Sequence, residues 1–333
     1  MIDIQNPYLM FIGDVPDQLA AKTADGVAHW RRDWCLGQLR LDGCKADLKL
    51  PDMSVAEAAA AGVKTLIVGV TNQGGYFADS WVETMHAAID HGMDIASGMH
   101  AKLDTVPGLT EKAAAAGRRL FDVRHTNQSF DIGRGHKRAG KRLLTVGTDT
   151  SCGKMFTALT LEKEMRARGM KADFRATGQT GIFIAGSGVA IDAVVADFIS
   201  GSVEWLCPEN EPDHWDLIEG QGSIFHAGYA GVTLGLIHGS QPDVLVACHD
   251  PGRPHMRGTP AIPVRSLSEV IEATSAAARL TNPDVRCIGC AINTSKLSDA
   301  EAEAELARAS DETGLPAIDP VKHGVGVLVD ALG

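Results

Sequence analysis

Short apolar runs rich in β-branched residues alternate along this chain with amphipathic, alanine-rich stretches. That rhythm belongs to an α/β protein built on parallel sheets. Tyr8–Ile12 is the first run and ends at Gly13-Asp14. Ser54-Val-Ala-Glu57 has the form of a capping box and opens an alanine-rich helix that stops at Gly62. Lys64–Val70 reads as a buried strand, followed by the loop Thr71-Asn72-Gln73-Gly74-Gly75 and a helix to about His91, with Gly92 as its stop. Asp94–Ala96 and Phe121–Val123 are further short strands. Strand, glycine-containing loop, helix and strand make a βαβ unit. Residues 1–130 are therefore expected to form a Rossmann-like domain.

The pattern resumes at Leu143-Leu-Thr-Val-Gly147, a strand followed by helical periodicity from Met155 to Arg168. Further strands are expected near 172–176, 216–219, 243–248, 285–292 and 315–318, with helices over 266–280 and 298–309. Residues 143–333 thus form a second parallel α/β domain. Between the two lies RHTNQSFDIGRGHKRAGKR, residues 124–142, with six Lys or Arg against one Asp. Its part 131–142 reads as a solvated basic linker. The other reading is a flap over an anionic ligand, with Arg134 and Lys137 as the residues to test.

Charge sharpens this picture. The net charge is −11, which argues against a nucleic-acid or membrane-surface binder. Residues 1–142 carry 17 basic and 17 acidic side chains, and residues 143–333 carry 14 and 25, so the second half holds the whole excess. Any anion bound there needs a local device. The opening residues Met1-Ile2-Asp3-Ile4-Gln5-Asn6-Pro7 lack the basic and apolar regions of an export signal. Seven irregularly spaced cysteines make no disulfide framework, so a cytoplasmic setting is expected. Cys287-Ile-Gly-Cys290 lies inside a strand-like run and reads as two buried thiols. No metal site is expected.

The local device is Gly147-Thr-Asp-Thr-Ser-Cys-Gly-Lys-Met155, which follows a strand and opens a helix. In that context glycines let backbone amides converge on a phosphate, and the helix N-terminus adds positive potential. Gly147, Thr148, Thr150, Ser151, Cys152, Gly153 and Lys154 are the candidate binding residues. Five residues rather than four separate Gly147 from Gly153, and Met155 stands where the usual loop has the serine or threonine that ligates magnesium. A thioether is a poor magnesium ligand, and Thr157 is placed to point elsewhere. The loop suits phosphate binding better than phosphoryl transfer.

The GTDT-x-x-GK form resembles dethiobiotin synthetase and its phosphate-loop relatives, and Leu217-Ile-Glu219-Gly220-Gln221-Gly222 is similar to a second motif of that family. A closer resemblance covers nearly the whole chain. Leu50-Pro-Asp-Met-Ser54, Asp94-Ile-Ala-Ser-Gly98, Asp122-Val-Arg124, GTDTSCGKM, Thr177-Gly-Gln-Thr-Gly181, Gly239-Ser-Gln-Pro-Asp243 and His249-Asp-Pro-Gly-Arg253 are similar to a two-domain family long catalogued as a domain of unknown function. Its N-terminal part is Rossmann-like, its C-terminal part is P-loop NTPase-like, and it includes D-glutamate N-acetyltransferases. The resemblance implies transfer of an acetyl group from acetyl-CoA to D-glutamate or a close acidic amino acid, in D-amino acid catabolism. The likeness to dethiobiotin synthetase implies that Asn293, after the strand Cys287–Ile292, faces the adenine of the cofactor. Acetyl transfer needs a seat for CoA phosphates but no magnesium hydroxyl, which accords with Met155.

Amide formation from an amine and a thioester needs a base, an oxyanion donor and a cation for the substrate carboxylates. Sheets of this kind place ligands at the carboxyl ends of their strands. His249, Glu219 and Asp250 stand at such ends and are the candidate catalytic residues. Arg175, Gln221, Ser223 and Arg253 are the candidate substrate contacts. Two other classes stay open: an ATP-dependent carboxyl-activating enzyme of the dethiobiotin synthetase type, which Met155 opposes, and a non-catalytic nucleotide or CoA sensor. The expected partners are small molecules and further copies of the chain.

Overall fold

The computed structural model describes residues 4–71, 75–125 and 128–333. Asn72, Gln73 and Gly74 of the first loop, Thr126 and Asn127 of the basic segment, and Met1–Asp3 lie outside them.

In the N-terminal unit five parallel strands, β1 (Tyr8–Gly13), β2 (Cys35–Arg40), β3 (Thr65–Val68), β4 (Asp94–Ser97) and β5 (Leu120–Asp122), lie in the order β2-β1-β3-β4-β5. Every residue of β1 and β3 is buried, which explains their continuous apolar character. The capping box closes both ways, with Ser54 Oγ accepting from the Glu57 amide and the Glu57 carboxylate accepting from the Ser54 amide. The helix it opens, Val55–Ala60, ends before Gly62, whose φ of +88° favours glycine.

The second unit carries β6 (Lys141–Gly147), β7 (Ala172–Arg175), β8 (Trp215–Ile218), β9 (Val244–His249), the hairpin β10 (His255–Met256) and β11 (Thr259–Pro263), then β12 (Arg286–Ile292) and β13 (Ala317–Ile318). Apart from the hairpin they form one parallel sheet in the order β13-β12-β9-β6-β8-β7. Leu143, Leu217, Val244, Val246 and Cys248 belong to a core shared with Leu161 and Met165 of the helix Lys154–Ala167. The carboxyl ends of β6, β8, β9 and β12 fall along one edge, so Gly147, Glu219, His249 and Asn293 lie at that edge.

The compact units do not divide the chain at one place. Met1–Gln128 groups with Gly178–Ala193, and Ser129–Thr177 groups with Val194–Gly333. The helix Gln179–Ala185 packs on the helix Lys22–Trp30, with Ile182, Phe183 and Ile184 fully buried. The contiguous second domain expected over 143–333 is thus interrupted. Segment 131–142 is also more than a solvated linker. Arg138 is buried and donates to the carbonyls of Cys207 and Gly239, and Arg142 is wholly buried among the carbonyls of Arg138, Ala139 and Pro208. Lys137 pairs with Asp243 at 2.6 Å. These cations hold the segment to its own unit. Among the described residues no helix is long and apolar enough to cross a membrane.

Candidate active site

The phosphate loop is shaped by two left-handed residues, Ser151 (φ +51°) and Gly153 (φ +104°). The carbonyls of Thr150 and Ser151 both accept from the Arg253 guanidinium, at 2.7 and 2.9 Å. In a trans peptide the following N–H points the opposite way, so the amides of Ser151 and Cys152 turn from Arg253. Among the described residues the amides of Ser151 and Gly153 have no acceptor, while the turn Thr150–Ser151 closes on the Asp149 carbonyl. Open amides at the start of a 14-residue helix make an anion cradle. Lys154 is buried, and its ammonium donates to the Asp149 carbonyl at 2.7 Å, closing the loop from within. Cys152 turns its thiol into the core. Thr150 uses its amide on the Asp149 carboxylate. Thr157 directs its hydroxyl back to the Gly153 carbonyl at 3.0 Å.

The hairpin β10–β11 and the turn before it brace this loop. Buried Asp149 accepts from Arg253 at 3.2 Å and from the Arg257 amide at 2.9 Å. Arg257 also reaches Ser151 Oγ at 3.1 Å while its side chain stays exposed. Arg253 further pairs with the buried Asp250, which is shared with Lys296 at 3.3 Å. The sequence points to Arg253 as a carboxylate clamp and to Asp250 as a catalytic group. The structure pairs them with each other and with the loop instead.

His249 ends β9, and its Nδ1 is 2.9 Å from Thr148 Oγ1 in the loop. Cys248 before it faces Thr157 of the loop's helix, so strand alternation puts the imidazole on the opposite face of the sheet. There its Nε2 lies 4.0 Å from Glu305 Oε1 on the helix Asp299–Thr313. Burial pushes the imidazole below its ordinary pKa, partly offset by Glu305. It is therefore neutral at neutral pH and has a lone pair to offer.

At the end of β8, buried Glu219 accepts from the Thr177 amide at 2.9 Å, and Thr177 Oγ1 donates to the Glu219 carbonyl. Gly220 follows, where a Cβ would overlap the Thr145 carbonyl and stand 2.9 Å from Lys154 Cδ. This glycine lets the strand end lie against the loop's lysine. Gln221 is half-buried and donates to Thr177 Oγ1 at 3.2 Å. Ser223 is fully buried inside a turn, its hydroxyl accepting from the Phe225 amide, and is closed to a ligand. Asn293 shapes its own turn by accepting from the Ser295 amide.

Arg175 departs most from expectation. It lies along the face of the sheet and pairs with buried Asp216 through Nη2 at 2.7 Å and Nε at 2.8 Å. Burial works to lower the guanidinium pKa, but Asp216 more than offsets it. Arg175 answers a buried carboxylate and is not a clamp at the sheet edge.

Comparison with known proteins bears on what this site serves. Residues 39–126 match the DUF1611_N Rossmann-like domain, and residues 131–329 match the DUF1611_C P-loop domain, both described as domains of unknown function. The chain belongs to the DUF1611 family. A crystal structure of a DUF1611 family protein from Anabaena variabilis is similar to it with a TM-score of 0.88 and 32% identity, covering 98% of this chain and 99% of that one. A protein of Tritonibacter scottomollicae named D-glutamate N-acetyltransferase is 52% identical over 99% of both chains. A Pseudoalteromonas protein of the same name is 48% identical over 98% of this chain and 99% of its own.

Several residues at this DUF1611 site carry no local signal in the sequence. Asp149 hides inside the loop motif, and Arg257 sits in a hairpin too short to show as strands. Glu305 and Arg308 belong to an acidic helix whose charge pattern reads as solvated surface. A pairing at 4.0 Å across 56 residues becomes visible only when β9 and that helix are packed together.

Proposed function

We propose that this protein is an N-acetyltransferase that moves the acetyl group of acetyl-CoA onto the amine of D-glutamate or a close acidic amino acid. The observation that carries the reading is the loop itself. The open amides of Ser151 and Gly153 and the charge of Lys154 suit an anionic phosphate, while Met155 stands where a serine or threonine directly after the lysine would ligate magnesium and Thr157 turns its hydroxyl to the Gly153 carbonyl. CoA presents phosphates without asking the enzyme to break them. The names of the two relatives support the same acyl chemistry.

In this reading the loop residues Gly147–Lys154 hold the CoA phosphates, and the pantetheine arm carries the thioester along the sheet edge. His249 accepts a proton from the substrate ammonium. The freed amine attacks the thioester carbonyl, the N–C bond forms, the C–S bond breaks, and CoA leaves as the thiol with the second amine proton. Glu219, held by Thr177, is the next candidate base, and Gln221 a polar contact for the acceptor.

The test is turnover with acetyl-CoA and D-glutamate, followed by thiol release, with ATP and Mg²⁺ in parallel. D-glutamate-dependent CoA release that persists in EDTA is the expected result. Turnover that requires ATP and Mg²⁺ would replace the reading with a carboxyl-activating one.

A further inference from the structure

If the protein acetylates an acidic amino acid, the acceptor's charges need partners, and Arg175 and Arg253 are both engaged elsewhere. We propose that His249 and Glu305, with the Arg308 that grips Glu305, form the seat for the amino group of the acceptor. This rests on the acetyl-transfer reading above.

The geometry comes first. Thr148 holds Nδ1 of His249, so Nε2 is the nitrogen left to meet a ligand. Nε2 and Glu305 Oε1 stand 4.0 Å apart, too far for a direct hydrogen bond. Two bonds of about 2.8 Å leaving one tetrahedral ammonium nitrogen span about 4.6 Å. An ammonium therefore bridges the two once these partly exposed side chains part by about half an ångström. Both side chains keep some exposure, 13% and 16%.

Glu305 is also preset. Arg308 Nε reaches Oε2 at 2.9 Å and Nη2 reaches Oε1 at 2.6 Å, and its Nη1 is tied to Glu312 at 2.6 Å. Those two bonds leave lone pairs on the carboxylate, which accepts about four. The Arg308 side chain is half exposed and has N–H groups to spare. An amino acid carries an ammonium beside a carboxylate, and the Glu305–Arg308 pair presents the complementary charges side by side. The charged groups around His249 are Glu305, Arg308 and Glu312 on that helix and Asp250 on its own strand end, three acids to one base.

The reaction step then has a place. His249 Nε2 takes one proton from the bridging ammonium, while Glu305 keeps the nitrogen in position through a second N–H. Glu305 acts as an anchor and as a positioning group for the imidazole, not as the base.

The experiment is Glu305→Gln in the full chain, read by calorimetric titration of D-glutamate in the presence of CoA and by steady-state kinetics. Loss of a charge-assisted contact should raise the Kd and KM for D-glutamate about tenfold or more, with KM for acetyl-CoA unchanged. Because the carboxylate supports the imidazolium, its removal should also move the acidic limb of kcat/KM to lower pH, which a merely structural helix residue would not do. Wild-type D-glutamate affinity together with an unshifted limb would overturn the proposal. If Glu305→Gln fails to fold, Glu305→Asp keeps the charge but draws it back by one carbon, and wild-type affinity in that variant would overturn the proposal too. If the wild type binds D-glutamate but releases no CoA, the acetyl-transfer reading fails, while the titration still decides the seat. No binding of D-glutamate to the wild type ends both.

Discussion

Arg253 ties together two loop carbonyls and two buried carboxylates, so its removal should act on the loop rather than on the acceptor. Arg253→Ala is expected to raise KM for acetyl-CoA at least tenfold and leave KM for D-glutamate nearly unchanged, measured by varying each substrate in turn. A rise confined to D-glutamate would return Arg253 to the role of clamp. His249 gives a second prediction. Its lowered pKa means that kcat/KM should hold steady at neutral pH and decline only below about pH 6.5. His249→Ala should lose that limb and roughly 10²–10⁴ in kcat while still binding acetyl-CoA. The folded chain also loses stability as pH falls through that window, because the unfolded imidazole takes up its proton first. At this scale the sequence was informative about residue type and position but not about direction. Glycine spacing and strand ends mark Gly147, Glu219 and His249. Nothing local shows that Arg175 lies back on Asp216, or that His249 faces away from the loop's helix, because those orientations depend on partners 41 and 56 residues distant.

Elements were legible where a strand is buried on both faces or a helix is capped by its own side chains. β3 and β9 announce themselves by apolar runs and β6 by its apolar Leu143-Leu-Thr-Val stretch, and the helices after Ser54, Ser266 and Ser298 by capping boxes. β2 escaped because Gly37 and Gln38 interrupt its apolar character. Gly37 packs on Met53, and Gln38 bonds the Leu48 amide and Asp47. The helix Ala230–Ser240 escaped because three glycines in eleven residues suppress helix propensity, yet Gly235 and Gly239 give the close approach to Ile199, Ser200 and Val203 of the neighbouring helix Ile199–Leu206. The junction of β8 with the loop has its own test. Gly220→Ala must push the Thr145 carbonyl and the Lys154 stem apart, and is expected to cost about 2–4 kcal/mol in urea denaturation. Wild-type stability in that variant would show that the strand end does not lie against the loop.

The whole molecule divides along contacts rather than along the chain, and that is where sequence reading served least. Polarity drops a boundary into the basic segment, but nothing in the composition of Gly178–Ala193 says that it belongs with the first 128 residues. A chain cut to residues 129–333 should therefore fold badly, since Ile182, Phe183 and Ile184 would lose the surface that buries them. Apolar-dye binding and aggregation are the expected signs, and a soluble, cooperative melt of that fragment would refute the assignment. The same arrangement sets a clock on synthesis. Domains made on a ribosome usually fold as they emerge, the N-terminal one first. Here the first unit cannot close when its own strands are complete, because its last helix is still about 65 residues from being made. At ordinary elongation rates that is a wait of about 3–13 s. During that wait the face of the helix Lys22–Trp30 that will receive Gln179–Ala185 stays uncovered in the cell, a standing invitation to chaperones that a co-linear pair of domains would not extend.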